Sequence, residues 1–128
     1  MTSSCPFCTL PSERIVASCR HGLVIRDGFA ISPGHTLVIP RRHIGSFFEL
    51  EPDERAALFV LLDEQKRQLD KELHPDAYNI GVNDGAAAGQ TVPHLHIHLI
   101  PRYRGDLTDP RGGVRWIIPD KADYWSVR

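Results

Sequence analysis

The chain has 128 residues, 41% of them hydrophobic and 24% charged, with a formal net charge of −1. That length suits one domain with a single core, and the composition is that of a soluble globular protein. The near-neutral balance gives no basic surface for a nucleic-acid groove, no apolar run reaches membrane-spanning length, and residues 1–6 lack the regions of a signal peptide. Cytoplasmic location, no nucleic-acid partner and no membrane partner are therefore expected.

Three cysteines make no disulfide framework. Cys19 stands alone and reads as an inert thiol. Cys5 and Cys8 form Cys-Pro-Phe-Cys, which could be half a zinc site, a redox dithiol or an accident of spacing. A redox pair belongs at the start of a helix that follows a strand, and no strand precedes this one.

Ile15–Ser18, Leu23–Arg26 and Phe29–Ile31 read as short strands, with Arg26-Asp27-Gly28 as a tight hairpin turn between the last two. Ser32-Pro33-Gly34 interrupts the chain before an apolar strand, Thr36–Pro40, which His35 opens. Ile44–Leu50 suits a short helical turn. The long helix is predicted from Pro52 to Leu73, with Pro52 at its first position and Asp53 and Glu54 at the positive end of its dipole. Leu58, Leu61, Leu62, Gln65, Leu69 and Leu73 follow helical spacing and face the sheet. Ala56, Phe59 and Val60 fall outside that stripe, so the first half of the helix is apolar nearly all round and suits either a partner or a thicker core. His74-Pro75 ends it.

Ala77–Asn83 reads as a strand and 84–89 as a loop of small residues that lets backbone amides approach an anionic group. Next comes Gln90-Thr91-Val92-Pro93-His94-Leu95-His96-Ile97-His98-Leu99-Ile100-Pro101, with three of the seven histidines at two-residue spacing. On a strand, His94, His96 and His98 share one face while Leu95, Ile97 and Leu99 bury the other. Imidazole is an indifferent core group, and three adjacent ones repel once protonated. Nucleophilic catalysis, a metal site and an idle surface row all fit the spacing. Asn83, Gln90 and Thr91 frame the row with neutral donors, a plausible cradle for phosphate. After Pro101, the tail alternates aromatic and basic residues with turn formers. It suits a lid that brings Arg115 or Trp116 to the site, or a segment packed on the sheet or on a partner.

The run Gly89-Gln90-Thr91-Val92-Pro93-His94-Leu95-His96-Ile97-His98-Leu99-Ile100-Pro101-Arg102, with Pro33-Gly34-His35 upstream, resembles the signature of the histidine-triad family of nucleotide hydrolases and transferases. The resemblance covers roughly residues 5–105 and implies a single 1–128 domain with a tail at 105–128. The implied fold is α+β, HIT-like: an antiparallel sheet of about five strands with one long helix and a short helix packed on it. It also implies a homodimer joined through the long helix and the strand after it.

The chemistry implied is hydrolysis at the α-phosphate of dinucleoside polyphosphates or nucleoside phosphoramidates. A neutral imidazole attacks phosphorus without adding negative charge, and an unperturbed pKa of about 6.5 allows that near neutral pH. By resemblance, His96 is the nucleophile, oriented through a backbone carbonyl near the third histidine. His98 donates to a phosphate oxygen or the bridging atom, and His35 supports the group with His94 beside it. Asp27 contacts the ribose of a purine nucleotide, Asn83 belongs to the cradle, and Gln90 and Thr91 bind phosphate and bridging oxygens. The resemblance names structural zinc on Cys5, Cys8, His43 and His94, a donor set that closes a tetrahedral site, and requires no catalytic metal. Histidine in third place argues against the uridylyltransferase branch, and Gly-Gln-Thr-Val with Pro-Gly-His looks more like the bacterial diadenosine polyphosphate hydrolase branch. Two rivals remain open: a metal-dependent hydrolase with the three histidines on one ion, and a nucleotide-binding sensor or adaptor without turnover.

Overall fold

A computed structural model of the chain describes residues 4–126. Five antiparallel strands form one sheet: β1 (Ile15–Ser18), β2 (Gly22–Arg26), β3 (Thr36–Pro40), β4 (Ala77–Gly81) and β5 (Ile97–Arg102), in the order β1-β2-β3-β5-β4. This is the α+β arrangement expected, with one long helix, α1 (Pro52–Leu73), lying on one face.

The ends of α1 follow from local chemistry. Pro52 occupies the first turn, Glu54 accepts from the Glu51 backbone N–H at 2.8 Å, and His74 closes the helix in the left-handed region at φ 51°. Leu58, Leu61, Gln65 and Leu69 are buried, while Leu73 is exposed. Leu58 and Leu61 join Val24, Val38, Leu95 and Ile97 in the core between helix and sheet. Gly22 permits that close approach, because a Cβ there would lie 2.5 Å from Leu58 Cδ2 and 3.1 Å from the Ile39 carbonyl. Phe59 and Val60 stay exposed, as does Ile80 on the edge strand β4.

The opposite face carries Leu23, Ile25, Leu37 and Ile39, covered by Phe7, Leu10 and Ile15. The N-terminal segment is thus the second layer over the sheet.

Four local expectations change. No strand spans Phe29–Ile31 and no tight turn spans 26–28. Arg26 pairs directly with Thr36, so the β2–β3 connection is the whole stretch 27–35, closed by the Asp27 N–H on the His35 carbonyl at 2.9 Å. Asp27 folds this loop on itself by accepting from the Phe29 N–H, and Phe29 and Ile31 are left exposed. The helical turn expected over 44–50 contracts to a 3₁₀ turn at Phe47–Glu49, because the Ile44 carbonyl is taken by the Leu95 N–H and Ser46 caps the turn from 47 onward. β4 stops at Gly81, leaving Val82 and Asn83 outside it. β5 begins only at Ile97, so His94 and His96 precede the strand and His94 is as buried as Leu95. The three histidines do not form one common row.

The tail forms a 3₁₀ turn (Gly113–Ile117) and a short helix, α2 (Pro119–Ala122). Arg115 Nε donates to the Ala122 carbonyl and Trp116 Nε1 to the Arg111 carbonyl, so both side chains are tied within the tail. Gly113 abuts Asn79 of β4. Among the described residues, none from the tail lines the cavity at His96 and His98, and the lid expectation gives way to packing beside the edge strand.

Candidate active site and metal centre

Register decides which histidines meet. His98 pairs with Leu37 of β3 and therefore faces the side covered by the N-terminal segment. His96, two residues earlier, takes the same side. Both line a cavity of about 560 Å³ walled by Phe7, Leu10, Ile25 and Leu37, with Thr9, Arg14, Asp27, Asn83 and Thr91 as its other polar members. An apolar wall with a few convergent polar groups is the usual form of a small-molecule site.

Backbone groups assign the tautomers. His96 Nδ1–H donates to the His94 carbonyl at 2.9 Å, which leaves the lone pair on Nε2. The orienting carbonyl is therefore that of the first histidine, not one near the third. The Ile31 N–H donates to His35 Nδ1 at 3.2 Å, so the proton of neutral His35 sits on Nε2. His35 Nε2–H in turn donates to His98 Nδ1 at 2.9 Å, leaving His98 with a hydrogen on Nε2. Asp27 Oδ2 lies 3.4 Å from His35 Nε2, a weaker second acceptor for the same hydrogen. The set thus contains one imidazole with a free lone pair and one with a fixed N–H.

Electrostatics favour the neutral form of His35 and His98. Burial, followed by the neighbouring His96 and His35 rings, lowers the His98 pKa to about 4. Burial also lowers His35, and the Asp27 carboxylate opposes that only in part. Asp27, His35 and His98 bring donor atoms within 4.8 Å of one another. As a metal site this trio is poor, because the Ile31 N–H occupies Nδ1 of His35 and leaves a hydrogen on the nitrogen that would have to bind.

His94 turns away from the cavity. Its Nε2–H donates to the Pro40 carbonyl at 2.8 Å, and its Nδ1 lone pair faces Cys5 Sγ and Cys8 Sγ, each at 3.4 Å. His43 Nδ1 lies 3.1 Å from His94 Nδ1 and 3.2 Å from Cys8 Sγ. With metal–sulfur and metal–nitrogen bonds of about 2.3 and 2.0–2.1 Å, a tetrahedral ion separates N from N by about 3.3 Å and N from S by about 3.6 Å. The distances and the soft donor set fit zinc. Desolvation and then Cys5 raise the Cys8 thiol, so the two sulfurs resist joint ionisation unless a cation holds them. No single ion can be shared by His94, His96 and His98, since both nitrogens of His94 point elsewhere.

The remaining expected residues divide. Asn83 and Thr91 reach the cavity. The Gln90 side chain does not line it: Oε1 accepts from the Gly85 N–H, and Nε2 donates to the Gly45 and Val92 carbonyls, at 2.8, 2.9 and 3.2 Å. Gln90 thereby braces the 84–90 loop through backbone groups. The sequence reading passed over Phe7, whose ring meets His94 and His96 edge-on with centroids 5.9 and 5.1 Å away. Its place between two cysteines was the available signal.

A family model described as HIT domain matches residues 11–105. The chain is 43% identical over 79 residues to a bis(5'-nucleosyl)-tetraphosphatase [asymmetrical] of Schizosaccharomyces pombe, covering 62% of this chain and 43% of that protein. It is 39% identical over 106 residues to a HIT-like protein of Methanocaldococcus jannaschii, covering 80% of this chain and 81% of the other. Among solved structures, a zinc-bound histidine triad family protein from Mycobacterium smegmatis superposes with a TM-score of 0.75 at 34% identity, covering 85% of this chain and 82% of that one. With its triad, its sheet and the extent of these matches, the chain belongs to the HIT domain family.

Proposed function

We propose that this protein is a nucleotide hydrolase that cleaves at the α-phosphate of a purine dinucleoside polyphosphate or nucleoside phosphoramidate, through a nucleotidyl intermediate on His96. The observation that carries the reading is the tautomer of His96, with Nδ1–H on the His94 carbonyl and a free Nε2 lone pair at the cavity. The yeast relative named as a tetraphosphatase supports it, although the chain spans only 43% of that protein's length.

In the first step His96 Nε2 attacks the α-phosphorus, the bond from phosphorus to the bridging atom breaks, and the leaving group takes the bonding pair. His98 Nε2–H donates a hydrogen bond to the departing atom. A polyphosphate departs as an anion that needs donors more than a full proton, and a ring with a pKa of about 4 held in one tautomer suits that task. This favours the anhydride over the phosphoramidate. In the second step water attacks phosphorus and gives up one proton to solvent, the P–N bond breaks with its electron pair returning to Nε2, and the nucleoside monophosphate leaves with His96 neutral again. Asp27 is assigned to the ribose, and Asn83 and Thr91 to the phosphates.

Structural zinc is proposed on Cys5, Cys8, His43 and His94. When bound, it would hold both thiolates and close the N-terminal segment against His94. A homodimer through α1 and β4 is supported by exposed Phe59, Val60 and Ile80, the last on the helix-side face of an unpaired edge by its register with Leu99. We treat 1–128 as one domain in the cytoplasm, in keeping with its free cysteines. No helix of the structure is long and apolar enough to cross a membrane.

The test is intact-protein mass after brief exposure to diadenosine tetraphosphate or an adenosine phosphoramidate, for wild type and His96→Gly, with zinc content measured alongside. A transient adenylyl adduct lost in the variant is expected, and the substrate that produces it identifies the leaving group. Tight nucleotide binding with neither adduct nor turnover would support the sensor reading instead. Full activity in His96→Ala would refute the assignment of the nucleophile.

A further inference from the structure

We infer that the Cys5–Cys8 knuckle is a metal-controlled wall of the cavity, with Phe7 as a positioning residue that couples the metal centre to His96. The inference rests on the proposed zinc and nucleotide readings and adds an energetic link between the two sites.

Phe7 lies between the two cysteine donors in the chain and contacts both His94, a donor, and His96, the proposed nucleophile. Pro6, Phe7, Thr9, Leu10 and Pro11 together form one side of the cavity. Among the described residues, the backbone of this stretch makes local hydrogen bonds only. Cys8 N–H and Thr9 Oγ1 both donate to the Cys5 carbonyl, and the Pro11 carbonyl accepts from the Arg14 N–H. Its hold on the sheet is the burial of Phe7 and Leu10 and the pairing of its sulfurs with His43 and His94. Cys5 is buried and Cys8 exposed, so one donor is open to competing chelators.

Removing the metal takes away the sulfur anchors on both sides of Phe7. The ring then loses its fixed position against His96, and the cavity loses a wall. Coupling between two ligands is reciprocal, so whatever factor the metal adds to nucleotide affinity, nucleotide adds to metal affinity. Direct contact between wall and donor set argues for a factor of about 10, within the usual range for coupled sites.

The experiment uses zinc-loaded protein in equilibrium competition with 4-(2-pyridylazo)resorcinol, with and without saturating AMP. AMP binding is followed by calorimetry, and the His96 ring signals by NMR. In wild type, AMP should raise zinc affinity about tenfold. In Phe7→Ala the zinc content should be unchanged, AMP should bind about tenfold more weakly, and the effect of AMP on zinc should vanish. The His96 ring signals should shift on zinc removal in wild type but not in Phe7→Ala. If zinc removal unfolds the chain, the effect of AMP on zinc affinity in wild type against Phe7→Ala still decides the matter, and an equal effect in the two proteins overturns the coupling. AMP that binds normally yet leaves zinc affinity unchanged overturns the coupling and spares the nucleotide reading. AMP that does not bind overturns the nucleotide reading. The coupling then stands if the wild-type His96 signals move with zinc and falls if they do not.

Discussion

The neutral His35–His98 pair should make the protein acid-labile in a window set by His98. Its pKa falls from 6.5 to about 4 on folding, chiefly through burial. Between those values the unfolded chain binds a proton that the folded one refuses, so stability is complete above the unfolded value and declines as the pH drops. At about pH 5 the unfolded state gains a factor of about 30 from this one group, or about 2 kcal/mol, against almost nothing at about pH 7. Urea denaturation of zinc-loaded wild type and His98→Asn at both pH values measures it. The variant has nothing to titrate there, so its loss of stability on acidification should be about 2 kcal/mol smaller than wild type's. Parallel losses in the two proteins would refute the buried neutral pair, and with it the fixed N–H that the mechanism assigns to His98.

Three further outcomes are expected. Gly34 holds φ +86° beneath His35, and a Cβ there would stand 2.8 Å from Leu73 Cδ1 and 3.0 Å from Leu69 Cδ2. Gly34→Ala should cost about 1–3 kcal/mol in denaturant titrations and lower turnover at least about tenfold by displacing His35. Arg42 grips buried Glu54 with Nε and Nη2 at 2.9 and 2.8 Å, and that hydrogen bond lowers the carboxyl to about 2. With the guanidinium half exposed, Glu54→Gln should cost about 1–2 kcal/mol near neutral pH. That difference should shrink in thermal melts as the pH falls from about 4.5 towards about 2, the window in which the free carboxyl is protonated and the paired one is not. Val60→Asp should weaken the proposed dimer about 100-fold by sedimentation equilibrium while leaving the melting curve of the subunit in place.

What could be read from the sequence was what neighbouring residues determine. Pro52, the acidic first turn and His74-Pro75 are local signals, and α1 runs between the limits they mark. Thr36–Pro40 forms its strand as read, and the alternation from Ile97 to Arg102 appears as alternating burial. The triad signature carried the family. Strand pairing was not legible, because it depends on residues far apart in the chain. The full register of β2 with β3 turned a supposed hairpin and strand into the loop 27–35, and that loop supplies both Asp27 and the N–H that orients His35. Gln90 looked like a phosphate ligand by position, but backbone groups at Gly45, Gly85 and Val92 hold its amide.

The sequence by itself therefore determined the long helix, the apolar strands and the presence of imidazoles, thiols and small-residue loops at family spacing. Only the tertiary structure decided what each imidazole does. A ring's role depends on which nitrogen carries the proton, and that depends on the acceptor or donor opposite it: the His94 carbonyl for His96, the Ile31 N–H for His35, the Pro40 carbonyl for His94. Those partners are set by packing across the sheet, so spacing alone could not separate the histidine that faces the cysteines from the two that face the cavity.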